Sequence, residues 1–458
     1  MRPRGGRLCF AVLGAVTLGA GLLWATTVAA QVADAGWTLD ELVGVALDRN
    51  PNLAATRTRI TVATEDVATA RGALFPRLDA VGRGEFFPRR ERLLIFRHGF
   101  RRDDNPFENA ILDYGLEATL PLYTGGRLER GVSLAEARVN AARSRVRLTR
   151  NELIFNVASA YYTGLRLQQV IAAQEAVLAS LEEALRIAEL QREVGRIAPI
   201  DLLRIQTRKS QAERDLAGAR NDHAQTIEVL KDLINVPAEV AIDIAGALTP
   251  APTNVDIESL RESALKRRPD LVALRHETQA LREAVGIAAA RLGPNLDVKA
   301  SYRGVTGLDD GTTRDDAILG LELRIPLYSG GVLQSQKRKA LAQLKEKELR
   351  LQAAERRALA ELERAALEIK TSGPRIAAAR RAVDQGQESL RIEREKFSQG
   401  RGTSNDLLLA EEALLLARTQ LAAALADNQV ARAALRFAVG EDPVAVTVDT
   451  TPSVAGGN

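Results

Sequence analysis

Cysteine is all but missing: the chain of 458 residues has one, Cys9. It lies in a segment expected to be removed, because Arg2, Arg4 and Arg7 precede an apolar run from Leu8 to Val28 that closes on small residues. That pattern reads as a secretory signal peptide over residues 1–30. Val28-Ala29-Ala30 offers a cleavage site before Gln31, and Ala33-Asp34-Ala35 offers a second. The mature chain is therefore expected to form no disulfide. Arg7-Leu8 is also not the apolar and small lead-in of a lipid-modified cysteine, so no lipid anchor of that type is expected. Losing three arginines and no acids lowers the formal charge of +4 to +1, which removes the compositional case for nucleic-acid binding.

Long apolar runs are absent too. No mature segment approaches the roughly 18 uninterrupted apolar residues of a membrane-crossing helix, so entry into a membrane would have to be by strands. Three scattered histidines, no mature cysteine and no glycine-rich phosphate loop at a strand-to-helix junction exclude the common catalytic and cofactor chemistries. No enzyme activity, cofactor or metal centre is expected, and the acid pairs Asp309-Asp310 and Asp315-Asp316 fall in a predicted loop. Aromatic residues are only 4% of a chain that is 46% hydrophobic. With its abundant Ala, Leu, Arg and Glu, that composition favours long helices meeting through small side chains.

What is present is written twice. Pro121-Leu122-Tyr123-Thr124-Gly125-Gly126 returns as Pro326-Leu327-Tyr328-Ser329-Gly330-Gly331, and Gly195-Arg196 followed by Asp201-Leu202-Leu203 returns as Gly400-Arg401 followed by Asp406-Leu407-Leu408. Both recurrences are 205 residues apart. Earlier in each copy the offset is 218, as from Asn50-Pro51-Asn52-Leu53 to Arg268-Pro269-Asp270-Leu271, so the first copy holds an insertion of 13 residues, expected within Arg89 to Asn105. Residues 31–236 form a first repeat, with strands near 77–88 and 110–121, a long helix 126–194 and a return helix 200–235. A proline-bearing linker, 237–255, leads to a second repeat over 256–440, with strands near 295–305 and 316–327, a long helix 331–399 and a return helix 404–439. Residues 441–458 are a tail. Val240 to Ile244 and Val444 to Val448 could each add a short strand.

The strands alternate. Leu112, Tyr114 and Leu116 interleave with Asp113 and Glu117; Leu296, Val298 and Tyr302 with Lys299 and Arg303; Leu319, Leu321 and Leu323 with Glu322 and Arg324. Segments of about 10 residues with one apolar and one polar face suit a membrane barrel, lipid outside and water within. Four strands leave open edges, and unpaired backbone groups in a bilayer cost several kcal/mol each. Three chains supplying 12 strands is the simplest closure. Between the strand pairs and the turns, 69 residues without proline would make a helix of roughly 100 Å. In the second copy Pro374 should interrupt and kink that helix. Each long helix is expected to pair with two shorter ones laid head to tail. The return helix carries a seam at Leu202, Ile205, Ala212, Leu216, Ala219, Ile227 and Leu230, with counterparts at Leu407, Ala410, Ala417, Leu421, Ala424 and Leu435. His223 and Asn428 share one seam position, read as polar register-setting sites.

In its duplicated order, the Pro-Leu-Tyr-Thr/Ser-Gly-Gly strand exit and the Gly-x-x-x-x-x-Asp-Leu-Leu turn of both halves, the chain resembles the TolC-type outer-membrane efflux proteins over essentially its whole mature length. The resemblance implies a homotrimer: a 12-stranded barrel in outer-membrane lipid, continuous with a helical tunnel through the periplasm of a Gram-negative-type bacterium. It implies two further partners, a periplasmic adaptor and an inner-membrane pump. The tip turns Val194-Gly195-Arg196 and Gly400-Arg401 would be where the adaptor docks, although Arg stands where many members have Leu or Thr. Asp201 and Asp406 would belong to the periplasmic gate, or else simply start their helices. Gly402 and Phe397 stand where some members carry Arg and Tyr latches, so fewer polar latches are expected. The competing reading is a periplasmic coiled-coil scaffold or adaptor without a channel. Cargo stays open among drugs, metal ions and polypeptides.

Overall fold

The computed structural model describes residues 36–86, 110–250, 256–308 and 313–444. The expected signal peptide, the insertion and the tail beyond Val444 lie outside them. Twelve elements follow one another among the described residues: α1 (Leu39–Arg49), α2 (Pro51–Gly72), β1 (Arg77–Phe86), β2 (Ala110–Tyr123), α3 (Arg127–Glu193), α4 (Pro199–Ile234), α5 (Ile257–Arg267), α6 (Pro269–Ala290), β3 (Asn295–Gly307), β4 (Thr313–Arg324), α7 (Val332–Ser398) and α8 (Ser404–Val439).

Helix starts follow their residues. Thr38 caps α1 with Glu41 in a reciprocal box. Asn50 accepts the amides of Asn52 and Leu53 at 3.0 and 3.1 Å to cap α2, and proline opens α2, α4 and α6 where a helix needs no donor. Strand becomes long helix through Gly125-Gly126 and Gly330-Gly331, all at positive φ between 60° and 79°. Two consecutive left-handed residues are a turn only glycine makes without strain.

Both long helices have 67 residues, roughly 100 Å at 1.5 Å per residue. They stand in a wall one helix thick. The stack of α2 and α4 packs on one flank of α3, and the stack of α6 and α8 fills the space between α3 and α7. The head-to-tail pairing expected from sequence is present, and α3 in addition touches both stacks. All seven seam positions of α4 are buried; in α8, Leu407, Ala410, Ala417 and Ala424 are buried while Leu421 and Leu435 pack at the cluster margins. Alanine at so many contacts brings the backbones close.

Four expectations need correction. The elements expected within the repeats do not include α1 and α5, eleven-residue helices that the caps Thr38 and Asp256 open. Pro374 does not interrupt α7, which stays helical across it. The hydroxyls of Thr371 and Ser372 donate to carbonyls of the preceding turn, and the wholly buried Asn428 donates to Ser372 Oγ at 2.8 Å. These bonds tie the segment to α8 where proline removes a backbone donor. Asn428 thus holds a polar seam contact, but His223 is half-buried with no hydrogen bond to its Nε2. Finally, Val240 to Ile244 forms only a one-residue bridge, Ile244 with Trp37.

The linker lies flat across α3. Tyr161 donates its hydroxyl to Ala245 O, Gln168 donates to Ile244 O at 3.1 Å, and Gly164 leaves room for the Ile244 side chain, which a Cβ there would strike at 2.5 Å. Together with α1, whose Leu42, Val43 and Ala46 join Ile154 and Val157 in one cluster, it covers one side of the wall at mid-height. The opposite side carries no such cover among the described residues and holds a cleft of about 750 Å³ lined by Ser159, Thr163, Glu361, Arg364, Glu368 and Asp427.

Candidate functional site

Two regions carry the expected site residues: the sheet at one end of the wall and the two turns at the other. The strands pair antiparallel in the order β1-β2-β3-β4, so the repeats are joined through β2 and β3, while among the described residues β1 and β4 each leave one edge open. The register sorts every residue by face. Leu112, Tyr114 and Leu116 align with Thr306, Gly304 and Tyr302; Leu296, Val298 and Tyr302 align with Leu323, Leu321 and Ala317, and Ala300 aligns with Leu319. These share one face, together with Leu78 and Phe86 of β1. Asp113, Glu117, Lys299, Arg303, Glu322 and Arg324 share the other, because adjacent residues of a strand point to opposite sides.

The polar face pairs its own charges. Arg303 reaches Asp113 with a two-pronged contact, 2.8 Å at Nε, and Glu322 meets both Lys299 and Arg324. The apolar face has no such cover. In the isolated chain Leu319 is 79% and Leu321 70% exposed, a continuous apolar surface of the kind that a lipid or protein neighbour must cover. Aromatics mark both ends. Tyr114 lies over Gly304, where a Cβ would come within 2.7 Å of its ring, one row from Tyr302, and the exposed Phe86 stands beyond it at the Ala110 end. Phe75, Tyr123 and Tyr328 stand exposed at the helix end.

At the far end, the α3–α4 and α7–α8 hairpins turn alike. Gly195 and Gly400 have φ of 71° and 72°, and the next amides, Arg196 N and Arg401 N, donate back to Gln191 O and Lys396 O at 2.8 and 2.9 Å. Val194 is 68% exposed, and Arg196 and Arg401 are exposed as well. Asp406 takes the helix-start role: its amide donates to Thr403 Oγ1, whose hydroxyl donates to its carboxylate at 2.7 Å. Asp201 instead accepts from Ser404 Oγ of the other hairpin at 2.6 Å. Gly402 is needed for space, since a Cβ would sit 3.1 Å from Phe397 N, and Phe397 is 2% exposed in the core of the tip.

Sequence reasoning missed the ties that cross between the hairpins. Gln191 donates to Phe397 O at 2.8 Å, and the buried Glu411 accepts from Arg394 of α7 and Ser180 of α3. Both residues are polar members of otherwise apolar seams, a signal that could have found them.

Nearer the sheet, Glu277 of α6 joins both long helices through Arg145 of α3 and Lys347 of α7, the latter at 2.8 Å. Burial by itself would raise its carboxyl, but the hydrogen bonds and charges of Lys347 and Arg145 outweigh it and hold the group below the usual carboxylate range.

The outer membrane efflux protein family matches over residues 42–236 and 260–441, one segment in each repeat. The chain belongs to this family. The efflux protein is 26% identical to the alkaline protease secretion protein AprF of Pseudomonas aeruginosa over 86% of this chain and 83% of that one. It is 25% identical to the outer membrane protein TolC of Vibrio cholerae, over 88% and 90%. Among solved structures it shares its fold with the outer membrane protein VceC of Vibrio cholerae, at TM-score 0.76, 21% identity and coverage of 89% and 97%. The Neisseria gonorrhoeae MtrE outer membrane channel follows at TM-score 0.71, 20% identity and coverage of 89% and 90%. The duplicated TolC-type fold expected from the sequence is therefore the fold found, and the chain is an outer-membrane exit duct. Its family is one of transport channels rather than enzymes, and the reading as a periplasmic scaffold with an accessory sheet loses its ground.

Proposed function

We propose that three copies of this chain, exported by the signal peptide of residues 1–30, close into one duct. The carrying observation is the four-stranded sheet with open edges at β1 and β4, one face apolar and the other charged. Joining β4 of each copy to β1 of the next gives 12 strands with no edge, the state a bilayer requires. Leu112, Tyr114, Leu116, Leu296, Val298, Tyr302, Leu319, Leu321 and Leu323 then meet lipid. Asp113, Glu117, Lys299, Arg303, Glu322 and Arg324 line the lumen. From Tyr114 to Tyr123 is about 30 Å along the strand, or roughly 23 Å of height at a barrel strand's tilt, close to the apolar band that such barrels present between aromatic girdles.

The same closure brings α7 of one copy beside α2 and α4 of the next and makes the wall a tunnel. At its lower end the turns of Val194, Gly195, Arg196, Gly400 and Arg401 offer backbone and exposed cations to a periplasmic adaptor that links the duct to an inner-membrane pump. Asp201 and Asp406 stand one turn above that opening and form the gate, Asp201 by its bond to Ser404. No cofactor takes part, since conduction is passive.

A photo-crosslinker at Arg196 or Arg401 in the native host tests the docked end. Capture of an inner-membrane-anchored periplasmic protein supports the reading. Absence of capture from a verified outer-membrane trimer removes the adaptor from it.

A further inference from the structure

We propose that the half of the bore nearest the barrel is an anion-attracting vestibule, and that the cargo this duct favours is acidic, a solute or polypeptide of net negative charge. The inference rests on the channel reading above and names its substrate class.

The charges of the helical wall are divided unevenly along its height. Mid-height is marked by Arg150 meeting Asp442 and Arg268 meeting Glu361. On the barrel side, α2, residues 127–150 of α3, α6 and residues 332–362 of α7 hold 20 Lys and Arg against 11 Asp and Glu. On the tip side, the remainder of α3 and α7 with α4 and α8 holds 20 against 22. The cations are equal in number; carboxylates are what the barrel side lacks. Each chain thus places +9 next to the barrel and −2 toward the tip. In the sheet, the polar face is close to balanced, with six cations and seven carboxylates. An excess of +27 per trimer is confined to one shell of the tunnel.

Part of that excess faces the bore. On α3 the stripe Arg143, Arg147, Arg150, Ile154, Val157 and Tyr161, spaced by three and four, leads to the side covered by α1 and the linker. A closed tube has room for those additions only on its outside. Arg138, Arg145, Glu152, Ser159 and Thr163 lie on the opposite stripe and so face the bore. On α7 the residues across the cleft from Ser159 and Thr163 are Glu361, Arg364 and Glu368, and the same stripe continues toward the barrel through Arg357, Arg350 and Lys339. Among the described residues Arg138, Lys339 and Arg357 have no carboxylate in ion-pair contact, whereas Arg350 is paired with Glu346. Unpaired like charges lining a channel with low-dielectric walls focus the field and raise the local concentration of counter-ions. Rings of Arg and Lys are what anion pores use.

The test is block of single-duct current in a planar bilayer by poly-glutamate or poly-lysine of equal length. Each polymer is added from the barrel side, so that it reaches this shell before the tip. The expected result is block by poly-glutamate at a concentration at least tenfold below poly-lysine, an advantage that shrinks as salt rises from 0.1 to 1 M and the Debye length falls from about 10 to 3 Å. Replacing the three unpaired bore cations together (R138E, K339E and R357E) lowers the excess by six per chain and is expected to abolish the preference. The milder R138Q, K339Q and R357Q set should reduce it even if the reversal blocks assembly. The R143E and R147E pair, on the covered side, should leave it unchanged. Equal block by both polymers, or an effect of the covered pair as large as that of the bore set, would overturn the vestibule. Trimers that carry no current either as wild type or as S404A, which removes the partner of the Asp201 gate, would instead overturn the duct on which it rests.

Discussion

Replacing Leu321 with Arg puts the face assignment at risk in one residue. Leu321 is 70% exposed in the isolated chain and aligns with Val298, which in turn aligns with Leu120. That row is within about 5 Å of the middle of the band between Tyr114 and Tyr123. An arginine near the midplane of a lipid-facing barrel strand costs about 2 to 4 kcal/mol. At 1.4 kcal/mol per factor of ten this is roughly a 30- to 800-fold loss in the folding constant per chain. Three copies share one barrel, so the trimer carries about 6 to 12 kcal/mol if the sites act independently. Folding into lipid vesicles across a urea series, read by the fraction of trimer surviving unheated electrophoresis, measures the loss. Glu322→Gln, one residue along on the charged face, is the control and should stay within about 1 kcal/mol, the ceiling for an exposed ion pair. A Leu321→Arg trimer as resistant as wild type would show that this face meets water, and the lipid and lumen faces would have to be exchanged.

Three further outcomes follow from the same geometry. Glu277→Gln should cost about 1.5 to 3 kcal/mol at neutral pH, the worth of hydrogen bonds to a charged group. Because the carboxyl is held below its unfolded value of about 4.3, its contribution is present above that pH and fades as pH falls through the lower folded value. The gap between the melting curves of wild type and variant should therefore begin to close as pH falls past about 4.3 and vanish below the lower folded value, and a constant gap would refute the clamp. Gly126→Ala should destabilise by about 1 to 2 kcal/mol through its backbone alone, since nothing lies closer than 3.9 Å to the added Cβ; a neutral result by thermal melting would mean the turn relaxes. Asn428→Ala should cost about 1 to 3 kcal/mol, the penalty for a buried polar group left without its partner. Asn428→Ala that matched wild type in a denaturant titration would show that the Ser372 contact does not hold α7 to α8.

Periodicity and repetition carried most of the architecture into the sequence. A strand alternates because successive side chains point to opposite faces, so Leu112 and Asp113 declared two environments before any partner strand was known. The seam of α4 was legible for the same reason at a period of three and four. Small local elements were less so: α1 and α5 are one strong cap followed by a few apolar residues, easily absorbed into a neighbouring loop. Long-range polar contacts were not legible. Nothing near Asp201 in the chain announces Ser404, and Gln191 finds the Phe397 carbonyl only because two hairpins about 200 residues apart lie side by side.

The amino-acid order by itself determined that there are two copies of one unit, that each holds an amphipathic strand pair and a helix of roughly 100 Å, and where glycine must turn strand into helix. Those properties depend on neighbours a few residues away and on the repeat of a pattern. Only the tertiary structure decided that β2 joins β3, that α3 stands between both short-helix stacks, that Asp201 and Asp406 have different partners, and that the carboxylate-poor segments share one height. Those depend on which distant surfaces meet, and a chain encodes that in the free energy of packing rather than in any local pattern.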